Sequence, residues 1–489
     1  MIFGKRTERH QARKAEGREK EPESEKSDDG QPKAADDQDA RAKLRAIGSE
    51  GKPKRKGHGR RAASNHSGAK IVCAHHDYLD AVESIRPQLK AVEHFVALDD
   101  SREGWLDYEC LLSTASADYV RPEIREGDLL TINYTSGTTS RPKGVMITHR
   151  NAYINSVGTL VHEPMSCADR YLWTLPMFHA NGWTFVWTVT AAGALHVCLP
   201  KIDAGRIFQL IEQEQVSMLC AAPTVLISLA NADEVLRRNA RPGVRVITAG
   251  APPAASTIER LEGELGWKVT QVYGLTETTP FITVCEPRAE HQQLSPADRA
   301  VIKARQGVEL ITSGETTVFD DADAEVPHDG ETVGEIVVRG NVVMAGYYND
   351  PEATDQAMRG GWFHTGDAAV IHPDGYIEIR DRLKDVIISG GENISSIEVE
   401  GVLLRHPAVQ EVAIVGLPHE RWGEAPHAFV VVRNGAEVTG ADLIEFARAH
   451  LAHFKAPQGV SFVDELPKTA TGKIQKYVLR GGRSAIAKQ

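Results

Sequence analysis

The chain has 489 residues and an apolar fraction of 41%, values typical of a globular protein with two or three domains. No run approaches the ~18 consecutive apolar residues of a membrane span, and no secretory signal precedes the first charged segment. Six isolated cysteines favour a reducing, cytoplasmic location and offer no motif for a metal cluster. Residues 1–66 hold 18 Lys and Arg against 12 Asp and Glu, and residues 67–489 hold 38 Lys and Arg against 55 Asp and Glu. The net negative charge of this larger part argues against binding to nucleic acid or anionic membrane.

Residues 1–66 are predicted to form a disordered, charged head. After the first residue, its large apolar side chains are Ile2, Phe3, Leu44 and Ile47 alone. A segment with so little apolar surface cannot offset the entropy lost on ordering. The basic run 52–56 leaves a nucleic-acid-binding arm as the alternative, although such runs are more often solvated tail.

From residue 69 onward, short apolar strands alternate with amphipathic helices. The predicted strands are 69–74, 92–98, 129–134, 170–175, 217–221, 244–249 and 268–273, and the predicted helices are 78–89, 149–161, 204–216 and 256–265. This alternation predicts an α/β fold with a large domain of parallel βαβ sheets. After Phe319 strands and turns dominate, with Asp374-Gly375 as a hairpin turn, so a small β-rich subdomain is expected. Residues 386–479 carry their own strands and helices and predict a small α+β domain.

The segment INYTSGTTSRPKGVMITHRN, residues 132–151, is the most informative part of the chain. A predicted strand ends at Tyr134 and enters a loop of hydroxyl-bearing residues and glycine, in which backbone N–H groups can close around phosphate oxygens. The spacing does not match the Walker A phosphate loop. The candidate phosphate-binding residues are Thr135, Ser136, Gly137, Thr138, Thr139 and Lys143.

Four other segments place polar or flexible residues after predicted strands or in turns. They are GAP at 250–252, QVYGLTETTP at 271–280, WFHTGD at 362–367 with RDRLKD at 380–385, and PKTATGKIQK at 467–476. Carboxylates suit Mg²⁺ and flat rings suit a nucleobase. Taken alone, YGLTET also fits a helix N-cap, and Asp367 with Arg382 also fits a plain salt bridge.

These five segments together resemble the adenylate-forming superfamily, which includes acyl-CoA synthetases, luciferase and peptide-synthetase adenylation domains. The resemblance spans about residues 70–480 with the motifs in the expected order. PMFHANGW and GGENISSIEVE are most similar to short- and medium-chain acyl-CoA synthetases. The N-terminal helices of the family fold are not found, so the first domain is expected to be truncated at its start. The uncovered sheet would then favour a homo-oligomer.

The resemblance implies roles for individual residues. The AMP-binding set is Gly250, Ala251, Pro252, Gln271, Val272, Tyr273, Gly274, Asp367, Ile379 and Arg382. The catalytic set is Lys473, Thr276, Glu277 and His179, with Glu277 as the Mg²⁺ ligand. His179 and Trp183 would shape the acid pocket, although Trp183 also fits a core aromatic on an amphipathic helix. Ser389, Gly390 and Gly391 would form the CoA-side loop, and Lys384 the hinge.

The expected reaction joins a fatty or other small carboxylic acid to CoA through an acyl-adenylate, with ATP, Mg²⁺ and CoA as cosubstrates and cofactors. The expected domains are an AMP-binding domain at 67–381 and a mobile C-terminal α+β domain at 382–489, with a hinge at 382–385. Two alternatives remain: an acyl-adenylate former that serves another acceptor, and a truncated nucleotide-binding remnant. The adjacent His75 and His76 are interpreted as a surface pair with rings on opposite sides.

Overall fold

The computed structural model describes residues 65–135, 143–238, 240–468 and 474–481. The predicted head therefore lies outside the described residues, apart from its last two positions. The first described sheet has three parallel strands, β1 (Ile71–His75), β2 (His94–Leu98) and β3 (Leu106–Asp107). Two short helices accompany it, α1 (Leu79–Glu83) and α2 (Tyr108–Thr114). The helix predicted over 78–89 is broken, because Pro87 lacks an N–H and sits in a separate 3₁₀ turn.

A hairpin of two antiparallel strands, β4 (Leu129–Thr135) and β5 (Lys143–Thr148), flanks the candidate phosphate loop. The sequence pattern predicts β4 but not β5, and it wrongly places β4 in a parallel sheet. Helix α3 (His149–His162) follows at once, because the Thr148 side chain accepts from the Asn151 N–H and caps its first turn.

The central sheet has seven strands in the order β12-β11-β10-β9-β8-β6-β7. Neighbouring strands from β10 to β7 run parallel, as predicted, and β11 and β12 continue the sheet in antiparallel fashion. The strands are β6 (Arg170–Trp173), β7 (Leu195–Cys198), β8 (Met218–Ala221), β9 (Arg245–Thr248), β10 (Lys268–Gly274), β11 (Phe281–Val284) and β12 (Val308–Glu309).

Helices cover both faces of this sheet, so alternate side chains of each strand enter two different cores. Leu219 packs on one face with Ile258, whereas Met218 and Cys220 pack on the other with Phe185, and all five are fully buried. The helices are α4 (Phe185–Ala191), α5 (Ala204–Gln213), α6 (Pro223–Ala230), α7 (Glu234–Arg238), α8 (Ala255–Leu265) and α9 (Pro296–Lys303).

A second, antiparallel sheet forms the β-rich subdomain in the order β13-β14-β16-β17. The predicted turn at Asp374-Gly375 joins its last two strands, with Gly375 at a φ of 79°. A two-residue strand, β15, leaves this region to pair with β5. The elements are β13 (Glu315–Phe319), β14 (Gly334–Arg339), β15 (Gly346–Tyr347), α10 (Pro351–Ala357), β16 (Phe363–Ile371) and β17 (Ile377–Arg382).

The last described part of the chain is the α+β arrangement that the sequence predicts. Its sheet runs β19-β18-β21-β20, with β22 parallel to β21, and its own core includes Ile414 and Val430. The elements are β18 (Ile387–Ser389), β19 (Glu392–Ile394), α11 (Ser396–Leu403), β20 (Val409–His419), β21 (Gly423–Val432), α12 (Gly440–His450), β22 (Gly459–Phe462) and α13 (Lys476–Arg480). Among the described helices, none has the length and apolar character needed to cross a bilayer.

Candidate active site

Two adjacent parallel strands, β9 and β10, carry predicted AMP-binding residues beyond or at their carboxyl ends. Thr248 of β9 pairs with Gln271 of β10, so the turn beginning at Gly250 lies at the same edge as Gly274. Gly250 adopts a φ of 92°, a left-handed conformation that favours glycine. In open α/β sheets this carboxyl edge is where ligands bind. The fold therefore places two separate motifs at one edge.

Tyr273, Asp367 and Arg382 converge at this edge from three strands. The buried Tyr273 hydroxyl donates to Asp367 Oδ2 at 2.7 Å, and Arg382 Nε lies 3.4 Å from Asp367 Oδ1. Burial, and then the charge of Asp367, hold the pKa of Tyr273 well above its ordinary value, so the phenol stays a donor. The expected strand turn at Asp367 is wrong: the residue lies within β16, directly opposite Arg382 on β17.

Three other predicted AMP-binding residues, Gln271, Val272 and Ile379, are buried or hydrogen-bonded through the backbone. Gln271 and Val272 are 2% and 3% exposed. The Gln271 Oε1 and Thr248 Oγ1 atoms are buried without a hydrogen-bond partner among the described residues. The backbone N–H of Ile379 donates to Gln306 Oε1 at 2.6 Å. Ala251 is exposed and Pro252 half-buried, in the turn after β9.

Gly274 has a structural reason to be glycine that the sequence does not reveal. A Cβ added there would lie 1.7 Å from the carbonyl oxygen of Pro280, because the chain folds back on itself after β10. The resemblance assigns this glycine to AMP binding. The close backbone contact is sufficient by itself.

Glu277 lies in a single 3₁₀ turn, Thr276–Thr278, rather than at the start of a longer helix. Its Oε1 accepts a hydrogen bond from the Tyr347 hydroxyl at 3.0 Å. The ammonium of Lys143 lies 4.6 Å from the centroid of the same tyrosine ring. The structure therefore joins the predicted Mg²⁺ ligand and a predicted phosphate-loop lysine through one side chain that the sequence analysis did not select.

The segment after His179 is a left-handed turn. The φ angles of Ala180, Asn181, Gly182, Trp183 and Thr184 are 40°, 44°, 59°, 56° and 67°. Left-handed helical conformation costs roughly 1–2 kcal/mol for each residue other than glycine. The surrounding structure holds the turn: the Asn181 Oδ1 atom accepts from Thr131 Oγ1 at 2.9 Å and from Asn133 Nδ2 at 2.5 Å. Strain of this kind concentrates at functional sites.

The two predicted acid-pocket residues differ in their environment. Trp183 is 5% exposed and contacts the Phe281 ring edge-on, with centroids 6.2 Å apart, within the core beside the central sheet. This environment supports the interpretation of Trp183 as a core aromatic residue. The expected amphipathic helix is replaced by the left-handed turn. His179 is half-buried at the start of the turn. Its role in the acid pocket stays a prediction.

The predicted CoA-side loop is a two-residue hairpin turn between β18 and β19. Ser389 pairs with Glu392, and Gly390 and Gly391 adopt φ angles of 63° and 93°. Two consecutive left-handed residues are the signature of a type I′ turn, which favours glycine at both positions. Lys384 follows β17, and desolvation, with Arg382 as a second cause, lowers its pKa.

Two predicted groups lie outside the described residues: Ser136 to Thr139 of the phosphate loop, and Lys473. Their flanking residues are described. Thr135 pairs with Lys143 across the β4–β5 hairpin, and Lys468 forms an antiparallel bridge with Ile474. Both ends of each segment are therefore fixed by backbone pairing.

His75 and His76 are a surface pair, but the expectation that their rings point to opposite sides is wrong. Strand β1 ends at His75 and a 3₁₀ turn begins at His76, which brings the ring centroids to 3.9 Å. With Asp77 they form a group whose donor atoms lie within 4.8 Å of one another. Contacts of 3.2–3.6 Å to Asp77 and Asp99 account for the group as neighbouring surface side chains.

Sequence reasoning missed Tyr347, Asn133 and Asn181. Tyr347 is separated from Glu277 by 70 positions and from Lys143 by more than 200, so no local spacing signals their contact. Asn181 was part of a quoted motif, but its partners on β4 become visible only through the fold.

Two family models match the chain. The model of the AMP-binding enzyme matches residues 42–348, and that of the AMP-binding enzyme C-terminal domain matches residues 398–473. The first match alone covers more than half of the chain. It includes the candidate phosphate loop, Tyr273 and Glu277.

Curated relatives are CoA ligases of substantial identity. The chain is 44% identical over 436 residues to 4-hydroxybutyrate–CoA ligase 2 of Metallosphaera sedula, covering 86% of this chain and 78% of that protein. It is 41% identical over 438 residues to the peroxisomal trans-cinnamate:CoA ligase of Petunia hybrida, covering 85% and 77%. Because one relative is named as peroxisomal, a cytoplasmic location stays a prediction, as does a homo-oligomer.

The fold is similar to that of ATP-bound MatB from Rhodopseudomonas palustris, with a TM-score of 0.76 and 29% identity, over 88% of this chain and 82% of that one. This similarity agrees with the predicted large α/β domain followed by a smaller one. The family models, the relatives and the fold agree. The chain belongs to the AMP-binding enzyme family and is an AMP-forming acid–thiol ligase that uses ATP and CoA.

Proposed function

We propose that the chain activates a fatty or other small carboxylic acid at the carboxyl edge of β10, with Tyr273 and Asp367 toward the nucleoside of ATP and Glu277 and Lys143 toward its phosphates. The observation that supports this site most directly is the Tyr273–Asp367 hydrogen bond of 2.7 Å beside the Arg382 guanidinium. A buried carboxylate held by a phenol and an arginine presents fixed acceptors to ribose hydroxyls. Tyr273 would offer its ring to adenine.

In the first half-reaction, a carboxylate oxygen of the acid attacks the α-phosphorus of ATP, and the bond to pyrophosphate breaks. Thr276 and Lys473 would stabilise the charge that develops on the α-phosphoryl oxygens, and Lys143 would contact the outgoing phosphates. Glu277 fits a Mg²⁺ ligand, since this ion takes one or two protein carboxylates together with phosphate oxygens, and the ion would offset phosphate charge. The product is an acyl-adenylate.

In the second half-reaction, the CoA thiolate attacks the acyl carbon, and AMP leaves with the bonding electron pair. We propose that the domain at 382–489 rotates about the hinge at 382–385, near Lys384, to bring the turn at Gly390 and Gly391 toward the acyl-adenylate. In the described conformation Asp381 Oδ2 accepts from the backbone N–H of Ser396 at 2.6 Å across this hinge. Rotation would require that contact to change.

A pyrophosphate-release screen tests the function and narrows the acid. Acetate, butyrate, 4-hydroxybutyrate, octanoate, benzoate and cinnamate would be supplied with ATP and Mg²⁺, with and without CoA, and free acyl-CoA measured by chromatography. We expect at least one acid to give pyrophosphate, AMP and acyl-CoA in equal amounts. Pyrophosphate without acyl-CoA would indicate another acceptor, and ATP binding without pyrophosphate would indicate a nucleotide-binding remnant.

Substitution of Gly391 tests the CoA-side loop. Gly391→Leu is expected to lower thioester formation from supplied acyl-AMP by about tenfold or more, because a bulky side chain at the turn would obstruct the pantetheine arm, while acid-dependent ATP–pyrophosphate exchange changes little.

Gly435→Leu is the matched control. Both glycines are left-handed, with φ angles of 93° and 78°, and a Cβ at either position would meet nothing within 4 Å. Backbone strain should therefore be similar in the two variants. A CoA-side role would be contradicted if Gly391→Leu slowed both half-reactions equally. It would also be contradicted if Gly435→Leu slowed thioester formation as much as Gly391→Leu does.

A further inference from the structure

Tyr347 lies beside the strand that carries Lys143 and contacts the turn that carries Glu277. It lies on the two-residue strand β15, where it pairs with Val145 of β5, and it is 8% exposed. Lys143 is two residues before Val145 on the same strand. It is therefore a diagonal cross-strand neighbour of Tyr347, close enough for a long side chain to reach the ring.

Each end of the Tyr347 side chain contacts a charged group. The ring faces the Lys143 ammonium at 4.6 Å from its centroid, and the hydroxyl donates to Glu277 Oε1 at 3.0 Å. The backbone of Glu277 is held as well, since its carbonyl accepts from the Met344 N–H at 2.8 Å.

We propose that Tyr347 is a positioning residue that fixes the Glu277 carboxylate and the Lys143 ammonium on two sides of the phosphate site. This inference rests on the proposed function of that site. The hydrogen bond fixes the orientation of the carboxylate that would hold the metal ion. The aromatic face attracts the ammonium through its quadrupole. Unlike a carboxylate, the ring carries no net charge, so the positive charge of Lys143 remains available to phosphate oxygens.

Two variants separate the contacts. Tyr347→Phe retains the ring beside Lys143 and removes only the hydrogen bond to Glu277, whereas Tyr347→Leu removes both. We expect Tyr347→Phe to raise the Mg²⁺ concentration for half-maximal ATP–pyrophosphate exchange by about tenfold, the size of effect of one hydrogen bond to a charged group. Excess Mg²⁺ should restore its rate.

Calorimetric titration with ATP provides a readout that does not depend on turnover. Without Mg²⁺, Tyr347→Phe should bind ATP as the wild type does, and Tyr347→Leu should bind it a few-fold more weakly because Lys143 loses its aromatic support. With Mg²⁺, both variants should lose affinity. Tyr153→Phe is the matched control, since Tyr153 lies on α3 with 69% exposure, and it should change neither titration.

The proposal is overturned if Tyr347→Phe lowers turnover or the melting temperature while the Mg²⁺ dependence of ATP binding and exchange stays that of the wild type. A wild-type chain that binds Mg²⁺·ATP but releases no pyrophosphate with any acid would refute the proposed function instead. The calorimetric titrations would then still test the role of Tyr347, because they measure ATP binding and do not require turnover.

Discussion

Replacing Lys473 with alanine is expected to slow acyl-adenylate formation by about 10²–10³-fold, the usual cost of removing one preorganised charge or donor from a developing oxyanion. Thioester formation from supplied acyl-AMP should remain nearly intact, because pyrophosphate has already left in that substrate. Acid-dependent ATP–pyrophosphate exchange measures the first step, and acyl-CoA release from synthetic acyl-AMP measures the second.

The described residues on either side of Lys473 are paired with one another or with the helix that carries Glu400. Ile474 bridges Lys468, the Gln475 N–H donates to the Pro467 carbonyl at 2.8 Å, and Lys476 pairs with Glu400 at 2.8 Å. Lys468→Ala is the control on the other side of Lys473, because it removes an equal charge from a half-buried pair with Glu411. Similar damage to both half-reactions by Lys473→Ala would rule out a role confined to the first step.

Replacing Glu400 with glutamine is expected to destabilise the C-terminal part of the chain by about 3 kcal/mol. The Glu400 and Lys476 side chains are only 16% and 13% exposed, and removing one charge leaves the other desolvated without compensation. Lys476 also donates to the fully buried Ser396, whose N–H and hydroxyl donate to Asp381 Oδ2, each at 2.6 Å. The loss of stability should therefore extend through Ser396 and Asp381 to the hinge at 382–385. Hydrogen exchange of the 396–403 helix measures it directly.

Glu398→Gln supplies the comparison on the same helix. Glu398 pairs with Lys455 at 2.7 Å, but its side chain is 37% exposed, and a pair of that kind contributes about 1 kcal/mol or less. We therefore expect hydrogen exchange of the helix to quicken far more in Glu400→Gln than in Glu398→Gln. Equal acceleration in the two variants would show that burial of the Lys476 pair does not decide stability here.

The sequence by itself determined the elements whose signals are local. Short, nearly continuous apolar runs predicted the strands that became β8, β9 and β10, because both faces of a parallel sheet are covered and most side chains of its strands are buried. Turn chemistry predicted the hairpin at Gly375. The residue types of five ordered motifs were sufficient to predict the family, and they selected Tyr273, Asp367 and Arg382, which do converge.

The tertiary structure decided what depends on pairing between distant segments. Strand β15 is not evident from periodicity, since a two-residue strand has no pattern, and β5 was not predicted either. Their pairing nevertheless brings Tyr347 to Lys143, and the Tyr347 hydroxyl reaches Glu277. The left-handed turn after His179 contradicts local propensity and is held by hydrogen bonds from Thr131 and Asn133. Long-range hydrogen bonds can hold a locally unfavourable conformation, and no local window of the sequence contains both partners.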